Sequence, residues 1–262
     1  MAYLSPALTN LVNLVKKSAS GIGRDFNEIE QLQSSIRDYR RFIATSYNKI
    51  ESSLRADIQA LYPSYPVLGY QDRAQTDTYL CISPIEGLTN FSHGNPNFAI
   101  CVAAVEKGVP VMGIVYNPIS DELFFAEKGK GAFKEGFRNH ERLRVSSRKD
   151  FTHAVVAVTH QTPAIMEVLS EEFTHIRISG SAALDMAYLA AGKFDAIICD
   201  KAEFNDIAAG LLLVKEAGGS VLDAHQKDPR SEDITKTLKA ETIIATNFEL
   251  SQKFFALMKK AV

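Results

Sequence analysis

Cysteine is scarce in this sequence: Cys81, Cys101 and Cys199 are the three present, far apart, odd in number and without a CxxC pair. Such spacing supports neither a disulfide framework nor a zinc site, and it suits a reducing, cytoplasmic setting. An excess of either charge is missing as well, the formal net charge being -2 and the isoelectric point about 6.3. That balance exerts no global pull toward nucleic acid or an anionic membrane surface. No apolar run approaches the roughly 18–20 residues that span a bilayer, and the N-terminus lacks the basic, apolar and small-residue succession of a secretory signal. The chain is therefore expected in the cytoplasm, off the membrane. Missing too are a G-x-S-x-G elbow, an H-E-x-x-H pair and a P-loop, which removes three common sources of hydrolytic and nucleotide chemistry.

What the sequence does have is apolar material. With 46% hydrophobic residues, 262 residues suffice for one layered domain or for two packed subdomains of about 100–150 residues each. Leu4, Leu8, Leu11, Val12 and Val15 recur at helical spacing around Ser5 and Pro6, which predicts an opening helix. Ile50, Leu54, Ile58 and Leu61 predict a second helix, ended by Pro63, so two helices are expected before the first strand. Residues 79–82, 98–105, 111–116 and 122–126 are short, rich in β-branched or aromatic side chains, and separated by Gly, Pro and Asn; they predict an antiparallel meander. Beyond residues 138–149 the pattern becomes strands alternating with helices, at 154–158, 181–191 and 207–217. The expected division is an N-terminal α+β subdomain, residues 1–148, and a C-terminal α/β subdomain, residues 149–262, in one compact unit.

Three local signals invite functional readings and are better taken as scaffold. The glycines of GKGAFKEG, residues 129–136, follow a hairpin pattern and open no apolar helix, so a glycine-rich turn is favoured over a dinucleotide loop. Residues 138–149 carry arginines without interleaved aromatics and read as a solvated strand edge, not a nucleic-acid surface. His93 is expected to serve as a structural hydrogen-bonding residue.

The most informative stretch is residues 80–91, LCISPIEGLTNF, in which Gly87 opens a helix after Pro84-Ile85. Together with Val67-Leu68-Gly69-Tyr70-Gln71, Gly180-Ser181-Ala182-Ala183-Leu184-Asp185 and Asn205-Asp206-Ile207-Ala208-Ala209-Gly210, it resembles the inositol monophosphatase superfamily, of the bacterial extragenic-suppressor type. The corresponding family motifs read approximately D-P-I-D-G-T-x-N-F, L-G-E-E, G-S-A-A-L-D and W-D-x-A-A-G. The resemblance continues through NFSHGNPNFAI, GIVYNPISDELFFAEKGKGAF and DIAAGLLLVKEAGG, and so covers nearly the whole chain. It implies a mixed fold, α+β and α/β in class, arranged as a layered α/β/α/β/α sandwich and usually paired as a homodimer. The implied activity is Mg²⁺-dependent hydrolysis of inositol monophosphate.

Departures from those motifs fall on the chemistry. Ser83 and Glu86 stand in the two aspartate slots, with Ile85 offering its backbone carbonyl between them; Asp206 keeps its ligand slot, and Asn205 replaces the tryptophan before it. Tyr70 stands for the ligand glutamate, with Gln71 in the following slot, and Tyr47 stands for a further metal-binding aspartate. Leu88 replaces the threonine that orients the attacking water. The resemblance thus implies metal ligands only at Glu86, Asp206 and the Ile85 carbonyl, degenerate metal slots at Tyr47, Tyr70 and Ser83, and degenerate catalytic slots at Tyr70 and Leu88. Because a hard Mg²⁺ needs carboxylates or substrate phosphate to replace its waters, weak Mg²⁺ binding or none is expected. The expected protein is a phosphatase relative whose hydrolysis is lost or severely reduced and whose remaining role is binding or regulation. Gly87, Leu88 and Thr89 keep a turn whose amides can hold a phosphate or sulfate, Gly180, Ser181, Ala182 and Cys199 fall on the substrate side, and Tyr70 is expected to fill the former metal space. The alternative is an active Mg²⁺-dependent phosphomonoesterase on inositol phosphate or a related sugar phosphate, with Glu86 and Asp206 helped by Asp72 or Asp77.

Overall fold

The structure, a computed structural model, describes residues 4–32, 36–70, 72–225 and 240–261. Helix α1 (Pro6–Ser18) starts where the Ser5 hydroxyl accepts the Leu8 amide at 3.2 Å and proline takes a first-turn position that has no amide to satisfy. Two helices follow before the first strand, α2 (Ile22–Leu32) and α3 (Ile36–Leu61), where the periodicity predicts only one. Helix α2 carries Ile22, Phe26 and Ile29 at i, i+4 and i+7, an amphipathic spacing that the sequence reading passed over. The predicted second helix, around residues 50–61, is the C-terminal half of α3, which ends two residues short of Pro63.

Strands β1 (Val67–Leu68) and β2 (Tyr79–Glu86) pair in parallel, the short helix α4 (Leu88–Ser92) follows, and β3 (Ala99–Glu106), β4 (Val109–Asn117), β5 (Glu122–Glu127), β6 (Gly131–Lys134) and β7 (Glu141–Arg142) continue antiparallel in sequence order. The predicted meander is the centre of this seven-stranded sheet. Its central strands are apolar on both faces. Along β3, Ile100, Val102 and Ala104 face one hydrophobic cluster, while Ala99, Cys101, Ala103 and Val105 face another. The two-residue period therefore persists, with both halves of the alternation buried.

The second sheet has five strands in the order β11-β12-β10-β8-β9, built from β8 (Val155–Val158), β9 (His175–Arg177), β10 (Ala196–Asp200), β11 (Ser220–Asp223) and β12 (Thr242–Thr246). Helices α5 (Pro163–Glu172), α6 (Ala182–Ala190), α7 (Phe204–Glu216) and α8 (Ser251–Met258) alternate with them. Three clusters define the layers. Helices α1 to α3 cover one face of the first sheet, α6 and α7 lie between the sheets, and α5 and α8 cover the far face of the second. This is an α/β/α/β/α sandwich. Close approach of the central layer depends on Gly113 in β4, where a methyl group would sit 2.9 Å from Ala209 Cα of α7.

The local signals resolve within this frame. Amides of Gly129 and Gly131 each donate at 2.8 Å to the Glu216 carboxylate of α7, so the glycine-rich hairpin binds its own chain. Among the basic residues, Arg142 lies over the Phe133 ring on the edge strand β7 and Arg148 pairs with buried Asp195 at 3.0 Å. His93 contributes through its backbone amide, which caps α4, while its ring is exposed and has no hydrogen bond among the described residues. Among the described residues, no helix is long and apolar enough to cross a membrane.

Candidate functional site

A cavity of about 870 Å³ opens between α3, the turn after β1, the end of β2 and the first turn of α7. It forms because β2 stops at Glu86 and the chain turns sharply into α4. Gly87 makes that turn with φ of 82°, in the left-handed region where a side chain is disfavoured. A methyl group there would also meet the carbonyls of Asn97 and Gly180, each at 3.1 Å.

Most residues singled out from the motifs meet at this cavity. Ser83, Ile85, Glu86, Gly87, Leu88 and Thr89 line it from the end of β2 onward. Tyr47 reaches it from α3, Tyr70 from the turn after β1, and Asn205 with Asp206 from the start of α7. Others lie elsewhere. Ser181 and Cys199 are each 1% exposed and do not line the cavity, nor do Gly180 and Ala182. Asp77 is likewise outside its wall, and Gln71 lies outside the described residues. Tyr70 is 62% exposed, so its ring stands along the wall instead of filling the space.

Two hydrogen-bonded units organise the polar floor. In the first, the Ser83 hydroxyl donates to Asp206 Oδ1 at 2.5 Å, joining the end of β2 to α7. In the second, the Glu86 carboxyl accepts the Ser181 hydroxyl and, at 2.8 Å, the Ala182 amide, which ties it to the N-terminus of α6. Burial, followed by the neighbouring Asp206 charge, pushes the Glu86 carboxyl up to about 8. Burial also raises Asp206, against the lowering effect of the Ser83 hydrogen bond. The Tyr47 phenol is pushed up to about 12 by burial and then by Glu51, which keeps it a neutral hydroxyl through the physiological range.

A third unit on the same wall joins Asp72, named in the alternative reading, to Arg55 and Glu51, which sequence reasoning passed over. Arg55 of α3 donates from Nε at 3.0 Å and from Nη2 at 2.8 Å to Glu51, from Nη1 at 2.6 Å to the Val67 carbonyl, and also to Asp72. Asp72 accepts the Gly69 amide at 2.8 Å as well, and these contacts, that amide first, hold its carboxyl below the usual range. The Glu51–Arg55 pair was legible as an i,i+4 spacing on a helix. Its link to Asp72 joins segments distant in sequence and has no local signal. Behind Glu86, the Ser179 hydroxyl donates to Asp185 at 2.7 Å, and burial raises Asp185 to about 7.

Comparison with known proteins agrees with the motifs and the layers. The inositol monophosphatase family profile matches residues 6–261. The chain is 34% identical to an inositol-1-monophosphatase of Rhizobium meliloti, covering 98% of each chain. It is 31% identical to the Nus factor SuhB of Xylella fastidiosa, over 94% of this chain and 92% of that one. In structure it is similar to the extragenic suppressor protein suhB of Bartonella henselae, with a TM-score of 0.83 and 32% identity over 97% of this chain and 100% of that one. Sequence, fold and cavity position converge, and the chain belongs to the inositol monophosphatase family.

Proposed function

We propose that this family member has lost, or nearly lost, metal-dependent phosphoester hydrolysis and acts by binding at the same cavity. The observation that carries the reading is the 2.5 Å hydrogen bond from Ser83 to Asp206. Two positions that the family fills with metal-binding aspartates here hold each other. The remaining donors do not fit Mg²⁺. Glu86 is turned to Ser181 and Ala182, the Tyr47 phenol stays neutral, and Tyr70 is largely in solvent. An octahedral, reluctantly dehydrated ion asks for more ionised oxygens than this set supplies. Leu88 adds no hydroxyl to orient a water.

The alternative is an active phosphomonoesterase on inositol phosphate or a related sugar phosphate, favoured by the four carboxylates of the cavity wall, Glu51, Asp72, Glu86 and Asp206. Two of these, Glu51 and Asp72, are paired with Arg55, which weakens it. An anion at Gly87, Leu88 and Thr89 is also poorly served, since α4 has only five residues and the nearest carboxylates oppose it. The same reading places the protein in the cytoplasm, with three free, buried cysteines, and as a homodimer on family resemblance.

The test is phosphate release from inositol 1-phosphate and a sugar-phosphate panel, with and without millimolar Mg²⁺ or Mn²⁺. It is run on the wild type and on a variant carrying Tyr70→Glu, Ser83→Asp, Glu86→Asp and Leu88→Thr. Expected is an inert wild type and metal-dependent turnover in the variant. Metal-dependent turnover by the wild type would overturn the proposal.

A further inference from the structure

The cavity wall has an unbalanced charge and aromatic faces beside it. Its four carboxylates face two guanidinium groups, Arg40 and Arg55. Arg55 is engaged by Glu51 and Asp72, and Arg40 is exposed. Among the described residues, neither Glu86 nor Asp206 has a basic side chain within ion-pair distance. Asp206 takes its hydrogen bond from Ser83 on Oδ1, and Oδ2 has no partner among the described residues. Carboxylates outnumber cations whether or not Glu86 is ionised. Tyr47 and Tyr70 line the same cavity as this carboxylate, and the Asp206 charge helps to raise the Tyr47 phenol. An aromatic face attracts a cation through its quadrupole, and the attraction grows as water is removed.

These features select among ligands. A phosphate meets four carboxylates on a wall whose Arg55 is already engaged by Glu51 and Asp72. A divalent ion finds neutral serine and tyrosine where it needs ionised oxygens. A monovalent ammonium group needs one carboxylate, a few oxygen acceptors and aromatic or aliphatic surface for its carbon chain, and Asp206, Ser83, the tyrosines and Ile43, Ile82 and Leu88 supply these. Resting on the non-hydrolytic reading above, we infer that the cavity is a receptor for a small alkylammonium cation, seated between Asp206 and the Tyr47 and Tyr70 rings.

The test is titration of the intact protein with butylammonium chloride at constant ionic strength, followed by calorimetry and by tyrosine emission, which no tryptophan obscures in this chain. Magnesium chloride and sodium phosphate are run as rival probes. Saturable butylammonium binding is expected, weakened about tenfold or more by Asp206→Asn and several-fold by Tyr70→Ala. Tyr70 is 62% exposed, so its replacement leaves the fold intact and keeps the second variant readable if the first is destabilised. No saturable binding by the wild type would overturn the inference, as would equal binding by wild type and Tyr70→Ala, or Mg²⁺ or phosphate binding where butylammonium does not bind. The phosphate-release assay separates the two readings. Inert protein without ammonium binding sinks this inference alone, and metal-dependent turnover sinks the non-hydrolytic reading.

Discussion

The side chain at position 86 is buried, and its carboxyl meets the Ser181 hydroxyl and the Ala182 amide at the start of α6. There it is pushed from an ordinary 4.5 up to about 8. A carboxyl raised in this way binds its proton more tightly folded than unfolded. Its stabilising contribution is complete below the unfolded value, is lost as pH rises toward about 8, and changes no further above that. Asp185, raised to about 7, acts with the same sign over a narrower window. Thermal melts between pH 5 and 8.5 should therefore show wild-type stability falling with pH. Glu86→Gln, neutral at every pH and still able to accept the Ala182 amide, should fall less steeply. Parallel curves for the two proteins would exclude Glu86 as the source.

At the scale of elements, packing distances decide which small residues matter. Gly113 of β4 faces the backbone of Ala209 on α7, and a methyl group there meets Ala209 Cα at 2.9 Å and its carbonyl oxygen at 3.0 Å. Neither partner is a side-chain end that can swing away. Gly113→Ala should cost about 1–3 kcal/mol in denaturant unfolding. Gly23, in the first turn of α2, has open space around the same methyl and no positive φ, so Gly23→Ala should stabilise by about 0.4–1 kcal/mol. Opposite signs are the expected result; equal signs would mean that the close approach of β4 and α7 is not what the glycine serves. Much of this layer was legible in sequence, because contiguous motifs such as Asp206 to Gly210 carry both the site residue and the small residues that seat its helix. The strand pattern of residues 98–105 was legible too, since β-branched and small residues run on through both faces. Helix α2 was passed over although Ile22, Phe26 and Ile29 hold helical spacing, and the Arg55–Asp72 contact was not legible, since it exists only once α3 lies against the turn after β1. For Tyr70, the motif slot fixes a place on the backbone, but surroundings no local pattern encodes direct the side chain, which lines the cavity wall while 62% exposed.

Across the whole molecule, the cavity lies where the central helices meet the first sheet, so its geometry depends on the layer shared by both sheets. Helix α7 brings Asp206 to the cavity and packs its buried residues into a cluster containing Val115 and Phe124 of the first sheet and Ile197 and Ala245 of the second. One helix is therefore core to both sheets at once. If that shared core couples them, the two halves anticipated at residues 1–148 and 149–262 unfold together despite their separate hydrogen-bonding networks. Leu213, fully buried on α7, tests this directly. Leu213→Ala should cost about 2–5 kcal/mol, and native-state hydrogen exchange should show amides of β3 and of β10 losing the same amount of protection. Loss confined to β10 and its neighbours would mean that the second sheet opens alone and that α7 stays with the first. In that case Ser83 and Asp206 would remain joined while the α6 anchor of Glu86 moved, and ligand binding would survive sub-global opening. A shared loss ties the α7 side of the binding cavity to global stability, because Asp206 sits on the helix that is core to both sheets.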